Sequence, residues 1–312
     1  MRVENVKGVG EKIAQKLRAA GYSTVELLAL ADPKEVSQRA NIGLETAIKL
    51  VRSARKSLNY TFITGDELEK ISNSNFKRFT TGCKNLDHLL GGGIQLGKIT
   101  EFYGAPRSGK TQLVHQLSVT VQLSVEQNGL EGMAAIIDTE GTFSPSRIAA
   151  IAKRFNIDPV LAKTRVFVAP AATSDMVLEL VYHDLPQLIE SKPIKLIAVD
   201  SLTSTFRAEY VGLESLRERQ QMINKLLHFL LRLAIAEKIA VVITNQVIAQ
   251  TNPYGPSMIA AGGFVVGHMS TYRVQLRRKG SEGGVIAKLE DAPDLPEQEV
   301  PLRITDNGII DD

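Results

Sequence analysis

A single cysteine, Cys83, among 312 residues excludes an internal disulfide and any cysteine-built zinc site, and it suits a reducing compartment. The histidines (His88, His115, His183, His228, His268) carry no metal-ligand spacing. Tryptophan is absent and aromatics are scarce, which alone decides little. No apolar run approaches the roughly 18 residues of a membrane span. Met1–Asn5 lacks the apolar core of a signal peptide, so the expectation is a cytoplasmic protein without a membrane partner, nucleoid-associated if the source is a prokaryote. Charge of one sign is lacking too: 37 basic and 34 acidic side chains leave +3. A nucleic-acid partner would therefore need a local patch rather than a basic whole.

What remains is an ordinary globular composition, 44% hydrophobic and 23% charged, at a length that buries a sizeable core in one or two domains. Its most specific string is Gly104-Ala105-Pro106-Arg107-Ser108-Gly109-Lys110-Thr111, a full match to the phosphate-binding loop G-x-x-x-x-G-K-[ST]. At average glycine usage the string occurs by chance in roughly one chain in a hundred of this length. Its setting is right, because Lys98–Tyr103 reads as a buried strand and Thr111–Ser118 opens a helix. The glycines let the backbone form a nest of N–H donors at a helix N-terminus. Lys110 would reach the β- and γ-phosphates of a nucleoside triphosphate, and the Thr111 hydroxyl would ligate Mg²⁺.

Residues 1–57 show helical periodicity and no strand-like run. Ile13, Leu17 and Ala20 share a face before Gly21, and further helices are predicted around 25–31, 34–39 and 44–58. Residues 58–78 read as a linker with one apolar spike at Phe62-Ile63. From Phe79 strands and helices alternate. The strands are placed at 99–103, 133–138, 165–169, 196–200 and 239–244, with helices over 112–123, 145–155, 174–190 and 217–237 between them. Such alternation implies an α/β core, 79–312, with a mainly parallel sheet covered on both faces. The stretches 271–279, 285–291 and 300–304 read as an antiparallel tail.

Hydrolysis needs a second metal anchor and a group that handles water. Lys195–Ser201 supplies the anchor as an apolar strand ending in Asp200, the Walker B form. The strand ending Asp138-Thr139-Glu140 puts Glu140 at the carboxyl edge where ligands gather in such sheets, so Glu140 is the candidate base. A third strand ends in Thr244-Asn245-Gln246, and Gln246 suits a nucleotide sensor.

The ordered set GxxxxGKTQL, IIDTEGTF, VDS, ITNQV, GGxxxGH and DAPxLPExE, with a Gly-x-Gly helical module and a linker Phe, resembles the archaeal RadA-type recombinases of the RecA-like strand-exchange family. The resemblance spans nearly the whole chain. It implies a helix-hairpin-helix domain (1–57), a linker with a polymerisation motif (58–78) and a RecA-like P-loop ATPase core. It also implies an ATP- and Mg²⁺-dependent filament on single-stranded DNA that pairs with a homologous duplex and exchanges strands. A paralogue that binds ATP and DNA and assists a principal recombinase stays open as an alternative.

Carried over by motif, Lys110, Glu140 and Gln246 are catalytic, Thr111 and Asp200 hold Mg²⁺, and Arg147 lies near the adenine. DNA contacts come from a first segment with Arg207, Arg217 and Arg219, from a second between Gln246 and His268 with Gly262 and Gly263, and from Gly8 and Gly10 of the N-terminal module. Phe62 and Gly65 match the linker motif that plugs one protomer into the next, and His268 faces the same interface. Partners implied are single- and double-stranded DNA, further copies of the chain in a ring or filament, and recombinase paralogues or mediators. The chain departs from the pattern at Ala105-Pro106-Arg107, at Gly65 in place of Ala, at Leu213 in place of Arg, and in a short second segment, Asn252–Ser257.

Overall fold

The computed structural model of the protein describes residues 1–212, 214–252, 255–280 and 283–312, with all side chains there except those of residues 73, 250–252 and 255–257. Its first helices are α1 (Glu11–Ala19), α2 (Val25–Leu30), α3 (Pro33–Arg39) and α4 (Leu44–Ser57). Their ends follow from local chemistry. Gly21 takes φ +86°, and the N–H groups of Gly21 and Tyr22 close back on the Arg18 and Leu17 carbonyls at 2.8 Å each. Thr24 and Asp32 cap α2 and α3 by accepting from the N–H groups of Leu27 and Lys34.

The stretch predicted as a linker contains α5 (Gly65–Asn75), so Gly65 is helical. A capping box opens it: Thr64 accepts from Glu67 N–H, and the Glu67 carboxylate accepts from Thr64 N–H. Phe62, just before it, is fully exposed.

Next come β1 (Arg78–Phe79), α6 (Lys84–Leu89), β2 (Ile94–Gln95), β3 (Ile99–Tyr103), α7 (Lys110–Thr120) and β4 (Met133–Asp138). They are followed by α8 (Pro145–Arg154), α9 (Pro159–Thr164), β5 (Val166–Pro170), α10 (Ser174–Glu179), α11 (Leu185–Ser191) and β6 (Ile194–Asp200). Then α12 (Ser204–Glu209) and α13 (Leu216–Glu237) lead to β7 (Ala240–Asn245), β8 (Val247–Asn252) and β9 (Gly255–Ala260). The chain continues through α14 (Gly263–Met269), β10 (Tyr272–Lys279), β11 (Gly284–Asp291), β12 (Gln298–Thr305) and β13 (Gly308–Asp311).

Among the described residues nine strands form one sheet, ordered β13-β12-β11-β10-β3-β7-β6-β4-β5. The block from β10 to β5 is parallel; β10, β11 and β12, the stretches read as the tail, pair antiparallel, and β13, which the sequence pattern did not mark, adds one more antiparallel pair. Strands β3 and β7 are buried along their length because helices cover both faces. Leu113 and Leu117 of α7 pack on one face with Phe102 and Val242, and Leu226, Leu230 and Leu233 of α13 pack on the other with Ile197 and Ile243. Register brings Asp138 opposite Asp200, and Tyr103 opposite Asn245, so the carboxyl ends of four strands meet.

The N-terminal helices share the α13-side core. A π-helical turn, Leu180–Asp184, divides α10 from α11, where the sequence suggested one helix. That turn receives the docked module. Arg39 lies 4.3 Å from the Tyr182 ring centroid and 4.6 Å from that of Phe229, and it donates to the Tyr182 carbonyl at 3.0 Å. Each such cation–π contact contributes roughly 0.5–2 kcal/mol. Glu35 pairs with both Arg39 and Arg232, and Gly21 fits so closely that a Cβ would stand 2.5 Å from the Tyr182 oxygen.

Candidate nucleotide and nucleic-acid site

β3 delivers the chain to Gly104, and residues 104–109 turn it into α7. A Cβ at Gly104 would stand 2.2 Å from the Leu276 carbonyl oxygen, so only glycine lets the loop start so close to β10. Gly109 takes φ +99° and no side chain caps α7, which leaves first-turn amides for an anion. Arg107 also has positive φ, +65°, uncommon for a residue with a side chain. Lys110 Nζ donates to the Gly104 and Ala105 carbonyls at 2.9 and 3.0 Å. Burial lowers its ammonium below the usual range, against the pull of the Asp200 and Glu140 carboxylates.

Around this loop lies a cavity of about 520 Å³, lined by residues 106–112 with His115, Glu140, Thr142, Ser144, Gln246 and Ile304. Its size is that of a small-molecule site. Asp200 stands beside it, nearly fully buried. Burial pushes the Asp200 carboxyl above its ordinary range, and hydrogen bonds from the Thr244 and Thr111 hydroxyls oppose the shift. Ser108 Oγ is buried with no partner among the described residues. An uncapped helix start, a lysine, an orphaned hydroxyl and a Thr–Asp pair form a donor set that fits a triphosphate with a hard divalent cation.

Glu140 sits on a loop whose amides are all consumed. Asp138 Oδ1 accepts from the N–H groups of Glu140, Gly141 and Thr142 at 3.1, 2.9 and 3.2 Å, and its Oδ2 accepts from Phe143 N–H at 2.9 Å. The next amide, Ser144 N–H, donates to His115 Nε2 at 2.9 Å. His115 Nδ1 must then carry the proton, donating to the Thr111 carbonyl at 2.7 Å. Burial lowers this imidazole, which stacks on Phe143. Across the cleft Gln246 Nε2 donates to Glu140 Oε1 at 2.8 Å. The structure therefore brings Lys110, Thr111, Glu140, Asp200 and Gln246 together.

Arg147 is placed differently. Its guanidinium donates to Gln112 Oε1 at 2.6 Å and to the carbonyls of Thr305 and Asp306, tying the β12–β13 turn to α7 beside the cavity rather than lining it.

Arg207 lies on α12, and Arg217 and Arg219 open α13; Arg219 also donates to the Tyr210 carbonyl at 3.1 Å. The second segment is the antiparallel hairpin β8–β9, with Val247 opposite Ala260. Gln220 Nε2 donates to the Gly262 carbonyl at 3.1 Å, so the two segments touch. Gly262 and Gly263 take φ +84° and +58°. Leu213 and residues 253–254 of the segment Asn252–Ser257 lie outside the described residues.

Gly8, at φ +97°, and Gly10 precede α1. No neighbour lies within 4 Å of a Cβ built at Gly10, so its backbone is approachable. His268 stacks on the exposed Phe264, with centroids 5.9 Å apart.

Sequence reasoning passed over Asp138, His115 and Asn245. The turn Asp138-x-Glu140-Gly141, the i to i+4 step from Thr111 to His115, and the position of Asn245 beside Gln246 were the available signals.

The Rad51 family model matches residues 72–312, and the SAM-like helix-hairpin-helix tandem model matches residues 1–56. The chain is similar to the DNA repair and recombination protein RadA of Aeropyrum pernix, with 46% identity over 311 residues covering 99% of this chain and 96% of that protein.

Proposed function

The chain belongs to the Rad51 family, and on that premise we propose that it is a DNA-dependent ATPase that assembles on single-stranded DNA and exchanges strands with a homologous duplex. The observation that most supports this reading is the Gln246–Glu140 hydrogen bond, 2.8 Å. It connects the carboxylate suited to water with the residue that starts the β8–β9 hairpin. A change in the hairpin then bears directly on hydrolysis.

Bound ATP would supply the scissile phosphoanhydride, and Mg²⁺ would supply neutralising charge for its phosphates. Lys110 and the α7 amides would hold the phosphates, Thr111 and Asp200 would hold the cation, and Glu140 would orient water and take its proton. Gln246 holds the Glu140 carboxylate through its side-chain amide at the rim of the same cavity. Arg207, Arg217 and the backbone at Gly262-Gly263 grip DNA phosphates without reading bases, which gives a strong salt dependence. Gly8 and Gly10, with Lys7 and Lys12 beside them in the chain, extend that contact to the N-terminal module, whereas Lys16 donates to the Asn41 carbonyl at 2.9 Å.

Assembly uses Phe62. An apolar groove of about 530 Å³ runs between β4–β5 and α11, lined by Ala135, Ile137, Phe167, Ala169, Leu185 and Leu188 among others. Strand β5 is the sheet edge beside it. An exposed phenylalanine on one copy and an apolar groove on the next form a heterologous, head-to-tail pair of surfaces.

The test is strand exchange between a single strand and a homologous duplex, with ATP and with a non-hydrolysable analogue. Joint molecules are expected with both nucleotides. ATP binding without joint molecules would overturn the reading in favour of an assisting paralogue.

A further inference from the structure

Asn245, the last residue of β7, is fully buried, and its side chain uses every hydrogen-bonding position it has. Oδ1 accepts from Thr203 Oγ1 at 2.8 Å and from Gln246 N–H at 2.9 Å. Nδ2 donates to Glu101 Oε1 at 2.8 Å and to the Ala261 carbonyl at 2.6 Å. The Gln246 amide can only donate and the Ala261 carbonyl can only accept, so the orientation of the amide is fixed. The main-chain oxygen of Asn245 accepts from Gly104 N–H at 3.3 Å.

These partners belong to distinct segments. Glu101 lies on β3 and Gly104 opens the phosphate loop. Thr203 stands between Asp200 and α12, the start of the first DNA-facing segment, and Ala261 closes the β8–β9 hairpin. Glu101 is fully buried and held from its far side, since Arg273 Nε donates to its Oε2 at 2.7 Å. A buried group that loses its partner is left unsatisfied, so none of these segments shifts alone without cost.

We propose that Asn245 is a positioning residue that couples the two DNA-facing segments to the phosphate loop, setting how far DNA accelerates ATP turnover. This rests on the reading of the chain as a DNA-stimulated ATPase. Gln246 contacts Glu140 directly; Asn245 acts through the main chain and through Thr203, Ala261 and Glu101.

The experiment compares turnover with and without saturating single-stranded DNA in the full chain, alongside nucleotide affinity and thermal unfolding. Asn245→Asp replaces a donor by a carboxylate oxygen facing Glu101 and the Ala261 carbonyl. The ratio of DNA-bound to DNA-free turnover should fall about tenfold, within the range of coupling changes carried by such networks. In the double variant Asn245→Asp/Glu101→Gln, the new amide can donate to the introduced carboxylate while its oxygen still accepts from Arg273, so much of the lost ratio should return. Thr203→Val, a milder change, should lower the ratio about threefold, and it decides the matter if Asn245→Asp does not fold.

A parent protein whose turnover ignores DNA would sink the functional reading and this proposal with it. A stimulated parent whose Asn245→Asp and Thr203→Val variants keep the parental ratio would overturn the coupling role alone. The coupling role is overturned equally if both rates fall in equal proportion or if the double variant recovers nothing.

Discussion

Gln246 and Glu140 meet at 2.8 Å although 106 positions separate them in the chain. The pair joins the end of β7 to the loop after β4, two strands away in the sheet. Glu140→Gln keeps the shape and removes the base. Turnover should fall at least about a hundredfold, with nucleotide affinity within a few-fold of the parent. Steady-state hydrolysis and equilibrium nucleotide titration check this, and retained turnover would remove Glu140 from the catalytic role.

Asp138 tests the loop rather than the base. It accepts from four successive amides, and Asp138→Asn makes one of its oxygens a donor that faces N–H groups. We expect kcat to fall about tenfold, the scale of a lost charge-assisted contact, with a smaller change in KM. A KM effect alone would mean that the loop serves nucleotide binding instead.

Phe62→Glu should shift the particle-size distribution toward monomer in light scattering or sedimentation, since a charge cannot enter an apolar groove unpaired. Ala169→Glu, on the groove side, should do the same. If only one of the two acts, they are not partners.

Gly21→Ala adds a Cβ 2.5 Å from the Tyr182 oxygen at a residue with φ +86°. Strain of this kind costs about 1–3 kcal/mol, and here it falls on module docking. The variant should therefore gain protease sensitivity between residues 1–57 and the core. An unchanged digestion pattern would show that the docking tolerates the methyl.

Glu237 gives a pH test. Burial raises its carboxyl above the ordinary range, against a hydrogen bond from Thr24 Oγ1 at 2.7 Å. A carboxyl with a raised folded pKa binds more protons in the fold than in the unfolded chain. Its stabilising contribution is complete below the unfolded value, about 4.3, and is lost as pH rises through the folded one. Glu237→Gln keeps an acceptor for Thr24 and cannot ionise. Its Tm should exceed the parent's at pH 7, and the gap should close toward pH 4. A gap that widens on acidification would contradict the assignment.

The parallel strands were legible because each is a short, mostly apolar run set between helical patterns, and Asp200 marks one carboxyl end. The N-terminal helices were legible because Gly21, Asp32-Pro33 and Asn41-Ile42-Gly43 mark their ends. Helix α5 was hidden: its stability comes from the Thr64–Glu67 box, and its circumference is mostly polar, so no stripe reveals it. The π-helical turn at 180–184 depends on what docks against it, which no local pattern encodes. His115, Asp138 and Asn245 escaped notice for a related reason. A lone His, Asp or Asn is ordinary in sequence, and its role appears only when Ser144, the 140–143 amides, or Glu101 and Ala261 come into reach. Arg147 shows the reverse, a motif position whose guanidinium is committed to the Thr305 and Asp306 carbonyls.

Because the amides from Glu140 to Ser144 are all spent on Asp138 and His115, that wall of the cleft has no N–H left to offer a ligand. It presents the Glu140 carboxylate with the Thr142 and Ser144 hydroxyls, while the wall opposite, the start of α7, presents N–H donors. The cavity is thus electrically two-sided, and a chain of phosphates is best received on the α7 side. Polarity, as much as shape, tells an entering triphosphate which way to face.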